Sequence, residues 1–360
     1  MDSTQNVPHD IIIDILAQLP VKALIRFKGV CRSWYSLIKD NKFIKQHYDT
    51  HKNCQKYFMT CRRRNMKNQF NYYHYTMDVP QLDSTSTISL VESPVPIDRS
   101  RMVLGNTQYF SCNGILLIIT YANDIVLWNP ATKESRRIPC PIRSKSGGLY
   151  NFCYFPSIDS YKIFRLGREV FNDDKNDMDI DIFSTKGNSW KSVGMFPSNY
   201  DFLDSSIVMS DGIVYMMAKR IGNLVSSTIL RFCLEKEQFE EELLCVDTIP
   251  GRIRILYSVG EKLCLISSSG DNNEVREIWL YMMTTNSWSK ILTIPLTLRP
   301  LSFMEDGGMM FQKFNRSGFV FEAYNSTTHK FEQVNVTEIE GLNLFNRVVT
   351  YVETLSSPNS

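Results

Sequence analysis

The spacing of apolar positions changes near residue 50. Up to that point it is helical: Ile12, Ile15, Leu16 and Leu19 stand at i, i+3, i+4 and i+7 and form one stripe. Pro8 suits the first turn of that helix, where a missing N–H costs nothing, and Pro20 ends it. Val21, Leu24, Ile25 and Phe27 predict a second short helix. Val30, Cys31, Trp34, Leu37 and Ile38 predict a third, with Arg32, Ser33 and Lys39 on its wet side. Asp40 and Asn41 are candidate caps for a further short helix carrying Phe43, Ile44 and His47. About forty residues are too few to bury this much apolar surface among themselves, so part of the stripe is expected to meet a partner. Packing on the rest of the same chain is the alternative.

Beyond residue 55 the period becomes that of strands bounded by turn residues. Short apolar runs led by glycine begin at Gly114, Gly212, Gly260 and Gly308, spaced 98, 48 and 48 residues apart. The first gap is close to twice the others, and Tyr161-Lys162-Ile163-Phe164 falls near its middle. A second series, Asn188-Ser189-Trp190, Glu237-Gln238-Phe239, Asn286-Ser287-Trp288 and His329-Lys330-Phe331, keeps nearly the same beat, and Trp128 to Lys133 opens an earlier copy. Two phased markers with one period near 48 predict the four-stranded blades of a β-propeller. Five units run from about 105 to 340. Residues 56–104 with Val348 to Val352 supply one more by pairing the two ends of the ring, which hides edge strands. The expected fold is therefore α+β and multidomain: a small N-terminal three-helix unit, then an all-β propeller of about six blades.

Charge and composition narrow the function. Forty basic residues against 38 acidic ones give a net charge of +2, and no stretch approaches the 18 apolar residues of a membrane span. With neither a basic start nor an apolar leader segment, the chain is expected in the cytoplasm, the nucleus or both, with its nine scattered cysteines as reduced thiols. The sequons at Asn315, Asn325 and Asn335 then carry no sugar. Of five histidines only His329 lies beyond residue 74, which leaves the strand region poor in the side chain most used for general-base and transition-metal chemistry.

Several groupings invite a chemical reading. Trp128, Trp190, Trp279 and Trp288 could form an aromatic cage, but aromatics that recur with the blades are read as core. His47, His51, Cys54 and Cys61 are zinc-type ligands whose order and spacing fit no common finger. Residues 51–75 hold Lys52, Lys56, Arg62, Arg63, Arg64 and Lys67 without an acid, interleaved with tyrosine and phenylalanine. At this net charge they read as a solvated junction and not as a nucleic-acid surface. Asp173, Asp174, Asp177, Asp179 and Asp181 lack calcium-loop spacing and read as a protruding loop. There is no P-loop, HExxH, G-x-S-x-G or dinucleotide fingerprint in the sequence.

Residues 7–48, with Leu19-Pro20-Val21-Lys22-Ala23-Leu24-Ile25-Arg26-Phe27 and Val30-Cys31-Arg32-Ser33-Trp34-Tyr35-Ser36-Leu37-Ile38, closely resemble the plant form of the F-box. Val7 and Gly29 are mild departures from it. Residues 100–355 more diffusely resemble the kelch-like F-box-associated domain, through Ile125 to Lys133, Asp159 to Ile163, Glu277 to Tyr281 and Tyr351 to Leu355. The layout is similar to that of S-locus F-box proteins. The resemblance implies an F-box over 1–48, a basic junction with the first propeller strands over 49–104, the propeller over 105–355 and a tail at 356–360. It also implies a substrate-recognition subunit of a Skp–cullin–F-box ubiquitin ligase, non-catalytic and without a cofactor. Val7, Pro8, Ile12, Ile15, Leu16, Leu19, Leu24, Val30, Cys31 and Trp34 would meet the Skp-type adaptor, and through it the cullin–RING ligase. The propeller would hold an unknown target protein, with Arg143–Gly148, Asn172–Asp181, Gly251–Arg254 and Ser269–Glu274 as candidate rim loops. Neither nucleic acid nor membrane is an expected partner. A propeller hydrolase, or an interaction module working without ubiquitin, is the alternative.

Overall fold

The computed structural model describes residues 7–64, 70–79, 91–97, 107–120, 122–141, 148–168, 178–222, 227–240, 244–246, 249, 254–259, 262–269, 275–304, 307–315, 318–334 and 344–359. Four helices come first: α1 (His9–Ala17), α2 (Val21–Phe27), α3 (Arg32–Lys39) and α4 (Asn41–His51). Pro8 and Pro20 sit at the N-caps of α1 and α2. Asp40 caps α4, its carboxylate accepting from the Lys42 and Phe43 amides at 2.9 and 3.2 Å. Asn41 is the first residue of that helix and not its cap. Leu16, Ala17, Val21, Leu24, Ile38 and Phe43 form the helical core.

Six sheets follow as blades around a ring. Blade 1 takes β1 (Gln55–Arg64), β2 (Phe70–Asp78) and β3 (Val91–Glu92). Blade 2 is β4 (Gln108–Cys112), β5 (Ile115–Ile119), β6 (Ile125–Trp128) and β7 (Ser135–Ile138). Blade 3 is β8 (Gly148–Phe155), β9 (Ser160–Arg168), β10 (Met178–Ser184) and β11 (Ser189–Met195). Blade 4 is β12 (Tyr200–Ser210), β13 (Ile213–Arg220), β14 (Ser227–Cys233), β15 (Gln238–Phe239) and β16 (Leu244–Cys245). Blade 5 is β17 (Arg254–Val259), β18 (Lys262–Ser269), β19 (Val275–Met282) and β20 (Ser287–Pro295). Blade 6 is β21 (Leu298–Phe303), β22 (Met309–Asn315), β23 (Gly318–Asn325) and β24 (Lys330–Val334). The last strand, β25 (Leu344–Val352), returns to pair with β1 in blade 1, Phe58 opposite Val349 and Gln55 opposite Val352. The ring is thus closed by main-chain hydrogen bonds between its two ends.

Turn chemistry produces the sequence period. Asn113-Gly114 and Asp211-Gly212 both have φ between +47° and +73° and close two-residue hairpins between the first and second strands of blades 2 and 4. Lys133, Asn188, Glu237, Asn286 and His329, each placed just before the outermost strand of blades 2 to 6, also adopt left-handed φ from +48° to +66°. The second sequence series is therefore one turn repeated five times.

Six apolar cores fill the seams between neighbouring blades, including the seam that joins blade 6 to blade 1. Trp128 is buried between blades 1 and 2, edge-on to Phe58 at 5.7 Å. Trp190, Trp279 and Trp288 are half-buried and pack on the seams of blades 2–3 and 4–5, so the four tryptophans are packing groups. Arg165 and Asp181 pair at 2.7 Å within blade 3, both buried.

Candidate functional site

Helix α1 has two apolar faces. One, with Leu16 and Ala17, lies in the helical core. The other carries Ile11 and Ile15, four residues apart and therefore on one side of the helix, 49 and 55 % exposed, and Val7, 52 % exposed, lies just before the Pro8 cap. Pro8 is exposed beside them, and Val30 (60 % exposed) and Cys31 offer further open surface just before α3. Ile12, Leu19 and Trp34 are half-buried and lean on the core, Trp34 against the Phe27 ring at 5.4 Å. Leu16 and Leu24 are fully buried and offer no surface; they support the face from beneath. Two exposed residues escaped the sequence reading, Ile11 and Tyr35. The four-residue spacing from Ile11 to Ile15 was the signal for the first; Tyr35 had none.

The Cys31 thiol, open to solvent, is held below its ordinary range, chiefly by the Ser33 hydroxyl at 3.1 Å and then by the Trp34 amide. His47 is buried under this unit. Its Nε2–H donates to the Leu19 carbonyl at 2.8 Å, and its Nδ1 has no hydrogen-bond partner. The His51 ring stacks on it at 4.3 Å and donates from Nδ1 to the His47 carbonyl at 3.0 Å. Both rings are thus engaged with backbone and Cys54 is exposed, while the Cys61 side chain lies outside the described residues. Among the described residues no three metal-ligating side chains come together.

Burial, and secondarily the neighbouring His51, push the His47 pKa below its ordinary 6.5, against the pull of the Leu19 carbonyl. A base with a lowered folded-state pKa contributes stability above about pH 6.5, and that stability is lost as pH falls through the lowered value. Thermal unfolding followed from pH 7.5 down to 5 should therefore show a falling melting temperature for the helices. His47→Gln, which keeps a donor for Leu19, should flatten that slope; an unchanged slope would assign it to other groups.

The helices sit at one end of the propeller. The Asn41 amide donates to Asp159 in the β8–β9 turn at 2.9 Å, and Ala131 in the β6–β7 turn packs on the helical core. The segment after β25 reaches the same place. The Asn129 amide donates to the Thr354 and Ser356 carbonyls at 2.9 and 2.8 Å, and Leu355, 4 % exposed, enters the helical core. Gly114 makes room for this strap: a Cβ there would lie 2.3 Å from Thr354 Cγ2 and 2.5 Å from the Val352 carbonyl. The four candidate rim stretches fall largely outside the described residues. The strand ends that flank them, Gly148, Met178, Arg254 and Ser269, are at the propeller end away from the helices, because strands alternate in direction around each blade.

Residues 63–357 match the family described as the F-box associated beta propeller domain, and residues 5–46 match the F-box domain. The chain belongs to the F-box-associated β-propeller family. Similar relatives come from Arabidopsis thaliana. The F-box/kelch-repeat protein At3g23880 is 27% identical, covering 100% of this chain and 98% of its own length. F-box protein CPR1 is 26% identical over 83% of this chain and 76% of that protein. The F-box protein described here is also similar to a solved oligogalacturonate lyase in complex with manganese (12% identity, TM-score 0.45, 77% of this chain and 74% of that one), a likeness too distant to bear on function. The four-helix unit is thus an F-box carried on a six-bladed propeller.

Proposed function

We propose that this F-box protein is a non-catalytic substrate receptor of a Skp–cullin–F-box ubiquitin ligase, working in the cytoplasm, the nucleus or both. The observation that carries the reading is the exposed apolar surface of Ile11 and Ile15 on α1 with Val7 just before it, which the chain's own core leaves uncovered. The Skp-type adaptor is its proposed cover, with Val30, Cys31 and half-buried Ile12, Leu19 and Trp34 around it. Residues 1–48 act as the docking unit. The propeller of 105–355, completed by the strands of 49–104, presents its far end to a target protein.

Two features support this division of labour. The F-box match and the F-box-named relatives agree on the docking half. The helices occupy the propeller end opposite the candidate rim, so a target held there would not compete with the adaptor for surface. Holding the target near the ubiquitin-charged enzyme raises the effective concentration of its lysines, and no side chain of this chain performs a chemical step.

Capture from cells tests the pair of roles together. Full-length protein carrying Ile11→Asp and Ile15→Asp should retain the target and accumulate it, since ubiquitination no longer follows. Targets ubiquitinated at the unchanged rate by that variant would overturn the reading.

A further inference from the structure

Innermost strands of adjacent blades bring two cysteines together that are far apart in sequence. Cys112 ends β4 of blade 2 and Cys153 lies in β8 of blade 3; neither is in a disulfide and both are half-buried. The Cys112 sulfur accepts the Tyr154 amide at 3.2 Å, so it rests against the peptide unit that follows Cys153. The Cys153 thiol donates to the Tyr154 carbonyl at 3.5 Å, so both sulfurs rest against the backbone of one residue.

We propose that Cys112 and Cys153 are a peroxide-responsive dithiol that bridges blades 2 and 3 at the end of the propeller facing the F-box. The Cys153 thiolate attacks one peroxide oxygen, the O–O bond breaks, and the departing hydroxide takes the thiol's proton and leaves as water. Cys153 becomes a sulfenic acid. The Cys112 sulfur then displaces that hydroxyl, which leaves as a second water with the Cys112 proton, and an S–S bond forms. Two thiols lose two electrons and the peroxide gains them.

The roles differ because the surroundings differ. Donation from Cys112, then from the Gly212 amide, holds the Cys153 thiol below its ordinary range despite burial and the charge of Asp211. A thiolate with a second thiol beside it is the arrangement from which oxidation proceeds to a reversible bridge. Other described cysteines lack one half of it. Burial pushes Cys264 up to about 12, and Cys31 has a serine hydroxyl as its partner and no second thiol. In a reducing compartment such a bridge is transient, as expected of a sensor and not of a structural staple.

Reduced full-length protein treated with hydrogen peroxide, alkylated and mapped by peptide mass should show one new linkage, Cys112 to Cys153, lighter by two hydrogens and reversed by dithiothreitol. In Cys112→Ser, dimedone should trap the sulfenic acid on Cys153. In Cys153→Ser, oxidation of Cys112 should slow by about tenfold or more, as loss of the thiolate requires. A linkage between other cysteines, no linkage, or unchanged Cys112 oxidation in Cys153→Ser would overturn the proposal. Should either serine variant fail to fold, the mapping of the unsubstituted protein decides alone.

Discussion

Placing aspartate at both Ile11 and Ile15 is expected to weaken binding of purified full-length protein to a Skp-type adaptor by on the order of a thousandfold, about 4 kcal/mol. Both side chains stand half in water on the uncovered face of α1. The free protein should therefore tolerate the charges within about 0.5 kcal/mol, as surface substitutions do. On docking, each carboxylate would have to enter an apolar interface without a partner, and the lost contacts and the desolvation penalty add. Leu16→Lys makes a telling control. Leu16 is buried with Leu24 in the helical core, so a lysine there should unfold the helices and lose the adaptor indirectly. Calorimetric titration paired with thermal melting separates the two: only the Ile11/Ile15 variant should keep its melting temperature. Adaptor affinity unchanged in that variant would remove the docking face from α1.

The second large effect belongs to the strap after β25. Ending the chain at Glu353 removes Leu355 from the helical core and leaves the Asn129 amide without its two carbonyl partners. Loss of a buried leucine contributes about 2–5 kcal/mol, much of the margin that a helical unit of this size has. β25 and its pairing with β1 remain, so the propeller should stay folded. Limited trypsin digestion should then cut the join between α4 and β1, where Lys52 is exposed, many times faster than in the full chain, with propeller fragments still protected. Leu355→Ala should give a milder version. Equal cleavage rates in truncated and full chains would show that the strap does not seat the helices.

What could be read in advance depended on how local the physics was. The propeller announced itself because one turn, a left-handed residue before the outermost strand, recurs at Lys133, Asn188, Glu237, Asn286 and His329. Such positions favour few residue types and so mark the sequence. The glycine series was noisier: in blade 6 the left-handed position is taken by Gly307 and not by Gly308. On α1 the run Ile11-Ile12-Ile13 supplies apolar side chains all round the helix, and periodicity alone merged two faces into one. Only packing decides that Leu16 points inward and Ile11 outward. Leu355 beneath the F-box and Cys112 beside Cys153 arise from ring closure and blade adjacency, and no short-range spacing encodes them.

The strap also orders events during translation. Residues of α1 to α4 leave the ribosome long before Leu355 is made, and β1 emerges without β25. The F-box therefore waits with an incomplete core, and the ring with an open edge, until β25 and Leu355 arrive. A polypeptide cut short upstream lacks both pieces at once. One stretch of chain, Leu344 to Leu355, thus completes the helical core and the closed ring together.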